Sequence, residues 1–97
     1  MSSTNPQIRQ TPWFGRVVKK LPKNEKLILD QEIRKIISDP KIGTLKKGNL
    51  SGIRVHKFKI NKQEHLLAYQ ESEEEILLIM LGSHENYYRE LGKYLVK

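Results

Sequence analysis

The stretch IRVHKFKINKQEHLLAYQESEEEILLIML, residues 53–81, decides the fold. Ile53 to Ile60 carries the β-favouring residues Ile53, Val55, Phe58 and Ile60 and reads as a strand. Asn61-Lys62-Gln63-Glu64 is a hairpin turn, and His65 to Gln70 is the strand that returns from it. Glu71 to Glu75 is a charged turn. Ile76-Leu77-Leu78-Ile79-Met80-Leu81 is apolar on both faces, which places it centrally in its sheet. Strands joined in this way form an antiparallel meander.

Upstream the period is helical. Phe14, Val17, Val18 and Leu21 recur at helix spacing, so Trp13 to Leu21 is expected to be a short helix. Pro22 interrupts it. Asn24 is placed to cap a second helix with Glu25 in its first turn. Leu29, Ile33, Ile36 and Ile37 form the apolar stripe of that helix. It stops at Ser38-Asp39-Pro40, because the residue before proline resists helical torsions. Two antiparallel helices joined at Pro22 are expected. Ile42 to Gly52 is then a basic connection containing glycine. Gln7 to Thr11 suits a short edge strand, with Pro12 ending it, and residues 1–6 are expected to be flexible. Downstream, Ser83 is expected to cap a last helix, His84 to Leu95. Helices grouped before hairpin-linked strands indicate an α+β fold.

The chain has 97 residues, enough for a single domain, 1–97, with a modest core and a shallow site. It has no cysteine, which excludes disulfides and thiolate chemistry. No apolar run reaches membrane-span length, and Met1 to Gln10 lacks the apolar core of a secretory signal. A cytoplasmic protein without membrane contact is expected.

The net charge is +7, from 18 Lys and Arg against 11 Asp and Glu. The charges are segregated. No acid lies between Asp39 and Glu64, while Lys41, Lys46, Lys47, Arg54, Lys57, Lys59 and Lys62 do. Arg9, Arg16, Lys19, Lys20 and Lys23 precede the first acid, Glu25. Evenly solvated charge would be mixed in sign. Segregation points to a basic face for nucleic acid or an acidic protein partner.

Taken in order, the helical hairpin ending in SDPKIG, the segment LKKGNLSGIRVHKFKI, the strand LLAYQ and the ending LGSHENYYREL resemble the RelE/ParE superfamily of toxins. The resemblance runs from about Trp13 to Leu95. It implies a curved antiparallel sheet packed on an N-terminal helical hairpin, with a C-terminal helix. It also implies the toxin of a type II toxin–antitoxin system, neutralised by a cognate antitoxin. RelE-like members are ribosome-dependent endoribonucleases that cut mRNA. ParE-like members poison DNA gyrase without being enzymes.

Metal-independent RNA cleavage by 2′-hydroxyl attack needs a base, phosphate-positioning donors, positive charge for the phosphorane and an acid for the leaving oxygen. No cofactor or metal is required. Lys57 and Lys59 are two apart and share a strand face. The resemblance implies that they contact phosphate, with one lysine serving as base. Ile53 and Val55 nominally lie on the same face, so either a bulge intervenes or the face is mixed. His84 and Tyr88 share a helix face at i, i+4 spacing. The resemblance implies acid–base and stacking work there, with Tyr87 the neighbouring alternative to Tyr88. Lys46 and Lys47 are expected to contact ribosomal RNA. Arg54 is a candidate for phosphate or antitoxin, and Arg89 for phosphate. His56 is either catalytic or a core histidine.

One departure matters. The family's nuclease prototype has an arginine for the scissile phosphate where this chain has Leu66, and a second arginine where it has His84. The expected partners are antitoxin, ribosome and mRNA, with DNA reached only through the antitoxin complex. A gyrase poison and an RNA-binding module are the alternatives.

Overall fold

The structure, a computed structural model, describes residues 6–46 and 52–83. Seven elements follow in order: β1 (Gln7–Gln10), α1 (Pro12–Lys19), α2 (Lys23–Ser38), β2 (Thr44–Leu45), β3 (Arg54–Ile60), β4 (Gln63–Glu71) and β5 (Glu75–Ser83). The sheet order is β1-β5-β4-β3-β2, which makes β5 an interior strand.

The sheet is mixed, not wholly antiparallel as expected. β1 runs parallel to β5, from Gln7 opposite Glu75 to Gln10 opposite Leu78. The reason is topological. A hairpin forces antiparallel pairing, but α1, α2 and three strands separate β1 from β5, so no tight turn dictates direction. The β3–β4 turn is also tighter than expected. Asn61 and Lys62 alone form it, at φ of 51° and 72°, and β4 begins at Gln63. Two successive positive φ angles match the twist of the flanking strands.

Both helix boundaries shift slightly. α1 begins at Pro12, at the first helical position, where its missing N–H costs nothing. α2 begins at Lys23 after Pro22, so Asn24 lies inside the helix instead of capping it. β5 continues through Gly82 and Ser83, so Ser83 is a strand residue. The expected helix His84 to Leu95 lies outside the described residues.

Strand alternation splits the apolar residues into two clusters. Phe58, Ile60, Leu67, Tyr69, Ile76, Leu78 and Leu81 meet Phe14, Leu29 and Ile36 of the helices. Ile53, Val55, Leu66, Ala68, Ile79 and Met80 form the second cluster, with Trp13 and Leu77 against it. A bulge keeps both sets in place. Ala68 pairs with Met80 and Tyr69 with Leu78, leaving Ile79 as the extra residue. Ile79 and Met80 thus share a cluster, while Leu78 and Leu81 share the other.

Thr11 ties α1 to this bulge. Its hydroxyl donates to the Ile79 carbonyl at 2.7 Å and accepts from the Phe14 amide at 3.0 Å. One buried side chain therefore satisfies the bulge carbonyl and caps the helix.

Candidate nucleic-acid interface

β3 builds the candidate site. Lys57 and Lys59 are exposed, while their neighbours His56, Phe58 and Ile60 are buried. Alternation puts both lysines on the sheet face opposite α2, about 6.6–6.8 Å apart along the strand. That face is mixed, since Val55 lies on it and is buried in the second cluster, and the β3–β4 register runs without a shift. Lys57 lies across from Leu66, which in turn pairs with Gly82. Lys59 lies across from Glu64. Neither lysine has an ion-pair partner among the described residues. Two exposed lysines on one strand face, unpaired among the described residues, make that face electropositive. Among the described residues no group of three or more His, Asp or Glu side chains is placed to hold a metal ion. No helix among them is long and apolar enough to cross a membrane.

Arg54 occupies the reverse face. It pairs across the strands with Tyr69. Its Nη1 donates to the Gly43 carbonyl at 2.9 Å, and its Nε lies 3.5 Å from Glu71 Oε2. The guanidinium is thus engaged by protein groups, and the side chain is 15% exposed. Lys46 is partly buried at the end of β2, with its amide donating to the Ile53 carbonyl. Lys47, His84, Tyr87, Tyr88 and Arg89 lie outside the described residues.

His56 also faces the helices and cannot join Lys57 from there. Its Nε2 lies 2.8 Å from Glu32 Oε1 on α2, with both side chains largely buried. A carboxylate only accepts, so Nε2 carries the proton. The ring stacks on Phe58, and Phe58 in turn on His65. This pair was missed in the sequence, although a signal existed. Glu32 sits four residues from Ile28 and Ile36, on the edge of the apolar stripe, where an acid needs a partner.

Burial raises the Glu32 pKa, but hydrogen bonds from His56 and Lys35 outweigh it and hold the group below its ordinary 4.5. A depressed carboxylate stabilises the fold above the unfolded value and loses that contribution as pH falls through the folded value. Glu32→Gln is therefore expected to lower stability by about 1 kcal/mol at pH 7. The difference should be smaller at about pH 3, because the carboxylate is progressively protonated as the pH falls through its lowered value. Urea unfolding of both proteins at the two pH values checks it, and an equal difference at both would contradict the pairing.

Tyr69 is the second residue that sequence reasoning passed over. It is fully buried, and its hydroxyl donates to the Pro40 carbonyl at 2.7 Å while accepting from the Gly43 amide at 2.9 Å. Burial raises its pKa, which keeps the hydroxyl protonated as a donor.

This architecture has known counterparts. A double-arginine mutant of the E. coli toxin RelE in the free state superposes with a TM-score of 0.71 at 18% identity, covering 94% of this chain and 98% of that one. The toxin chain of the intact E. coli RelBE toxin–antitoxin complex gives 0.65 at 18% identity, over 82% and 98%. The YoeB/ParE toxin from Agrobacterium tumefaciens gives 0.63 at 16%, over 80% and 98%. Identities this low establish the fold. No curated protein sequence matches the chain. The sequence model of one family, described as the ParE-like toxin of type II bacterial toxin–antitoxin systems, matches residues 8–92, nearly the whole described sheet and both helices. On that match, the chain belongs to the ParE-like toxins of the RelE/ParE superfamily.

Proposed function

We propose that this toxin is a ribosome-dependent endoribonuclease that cleaves mRNA in the cytoplasm by metal-independent 2′-hydroxyl attack. The observation that carries the reading is the exposed Lys57–Lys59 couple on one face of β3, unpaired among the described residues. One lysine, acting as the neutral amine, takes the 2′-hydroxyl proton, and the other, as the ammonium, holds the phosphate and the charge that builds on it. His84 protonates the leaving 5′-oxygen, and Tyr88 stacks on a base. The ribosome presents the message in attack-ready geometry. A cognate antitoxin with an acidic, partly disordered segment neutralises the protein by folding over its basic surface.

One observation favours the second reading, a gyrase poison without enzymatic activity. Leu66 is fully buried directly across from Lys57, at the position where the resembling nuclease carries its phosphate-binding arginine. Induced expression followed by mapping of mRNA 5′ ends separates the two. New in-frame cuts are expected. Intact messages accompanied by DNA damage would replace the nuclease with the gyrase poison.

A further inference from the structure

Pro40 to Gly43 forms the loop between α2 and β2, and two side chains grip it from behind. Tyr69 and Arg54 are cross-strand partners on β4 and β3. The Tyr69 hydroxyl donates to Pro40 and accepts from the Gly43 amide. Arg54 Nη1 donates to the Gly43 carbonyl at 2.9 Å and reaches the Lys41 carbonyl at 3.4 Å. Glu71, two residues beyond Tyr69 on the same strand face, holds Arg54 in turn. The fit is close: a Cβ on Gly43 would lie 2.9 Å from the Tyr69 hydroxyl and 3.0 Å from its ring.

This grip is costly. It buries a guanidinium whose Nε has no hydrogen bond, only the 3.5 Å approach of Glu71. Residues 40–43 add no side chain to the hydrophobic clusters; the grip satisfies the hydroxyl of Tyr69, itself a core residue, and with Arg54 it also fixes the loop backbone. What it fixes is a cationic loop. Lys41 is exposed and unpaired among the described residues, and the segment opens the stretch that lacks acids up to Glu64.

We propose that Arg54 and Tyr69 are positioning residues that hold the Pro40–Gly43 loop, with Lys41, as a rigid docking surface for the phosphate backbone of folded RNA. The inference rests on the ribosome-dependent reading above and names where the ribosome is gripped. Rigidity selects the partner. An acidic disordered segment adapts to whichever loop it meets, whereas folded RNA presents phosphates at fixed positions and rewards a fixed cation. Arg54 thus serves RNA binding from behind the loop, without touching RNA.

The test uses ribosomes programmed with message, and measures half-saturating ribosome concentration, plateau cleavage rate and direct binding across a salt series. Lys41→Ala, Arg54→Met and Tyr69→Phe should each raise half-saturation roughly 3–10-fold while the plateau rate stays within about twofold. Lys41→Ala should also flatten the log–log salt slope of binding by about one. Tyr69→Phe should abolish hydrogen-exchange protection of the Gly43 amide and leave the β4 and β5 amides protected. A destabilised Arg54→Met would show as a lowered melting temperature, and Tyr69→Phe, which deletes one oxygen, then carries the test. Parental half-saturation and slope in Lys41→Ala overturn the proposal. So does a lost plateau rate with unchanged half-saturation in Tyr69→Phe. A parent protein that binds ribosomes but cuts nothing refutes the cleavage while the binding arm still decides the clamp. A parent that binds no ribosome overturns both.

Discussion

Lys57→Ala and Lys59→Ala are each expected to slow single-turnover cleavage of ribosome-bound message by about 10²–10³-fold, the order of cost for removing the proposed base or the group that stabilises developing charge. His84→Ala, removing the proposed leaving-group acid, should cost about 10²–10⁴-fold. For the lysines the structure supplies the reason that fold and chemistry separate. Both side chains are exposed and, among the described residues, unpaired, so their removal opens no cavity there and orphans no described partner. Melting temperature and circular dichroism should therefore stay parental, and the variants should still bind antitoxin. Lys62→Ala, at the second position of the β3–β4 turn, should cut at nearly the parental rate. Three active-site variants cutting as fast as the parent would sink the site assignment. A parent that cuts nothing but blocks gyrase supercoiling would move the protein to the gyrase-poison class.

Phe14→Ala should have the largest effect on stability, about 3–5 kcal/mol. Phe14 is 1% exposed and is the buried residue of the short α1. An eight-residue helix has little stability of its own, so its place depends on what it buries. Removing the ring leaves a cavity between α1 and the sheet, where Leu29, Leu78 and Leu81 belong to the same cluster. The loss is a large part of the roughly 5–15 kcal/mol that holds a domain folded. At about 4–8 °C per kcal/mol, melting should fall by about 12–40 °C, and cellular toxicity should fall with it. Differential scanning calorimetry decides it. A shift below about 4 °C would show that α1 is anchored elsewhere, at Thr11 or Trp13.

The candidate site was only partly legible in the sequence. The i, i+2 spacing of Lys57 and Lys59 fixes a shared face wherever β3 forms, so their exposure together follows from strand geometry. Arg54 belongs to the same basic stretch, yet an odd separation from Lys57 turns it to the other face, where Tyr69 and Glu71 engage it. Charge counting treats these three cations alike. Parity and cross-strand register separate them. Glu32 and His56 lie 24 residues apart, and only the seating of α2 on β3 brings them to 2.8 Å.

What the sequence determined by itself is local: strands where β-favouring residues alternate, a hairpin turn opening at Asn61, a helix end before Pro40 and the two-sided apolar strand that became interior β5. Each follows from backbone sterics and side-chain period within a few residues. The tertiary structure alone decided the parallel direction of β1, the bulge at Ile79 with its Thr11 tie, and the grip of Arg54 and Tyr69 on the Pro40–Gly43 loop. These contacts join residues between 11 and 68 positions apart, so they form only when the sheet and helices are already in place.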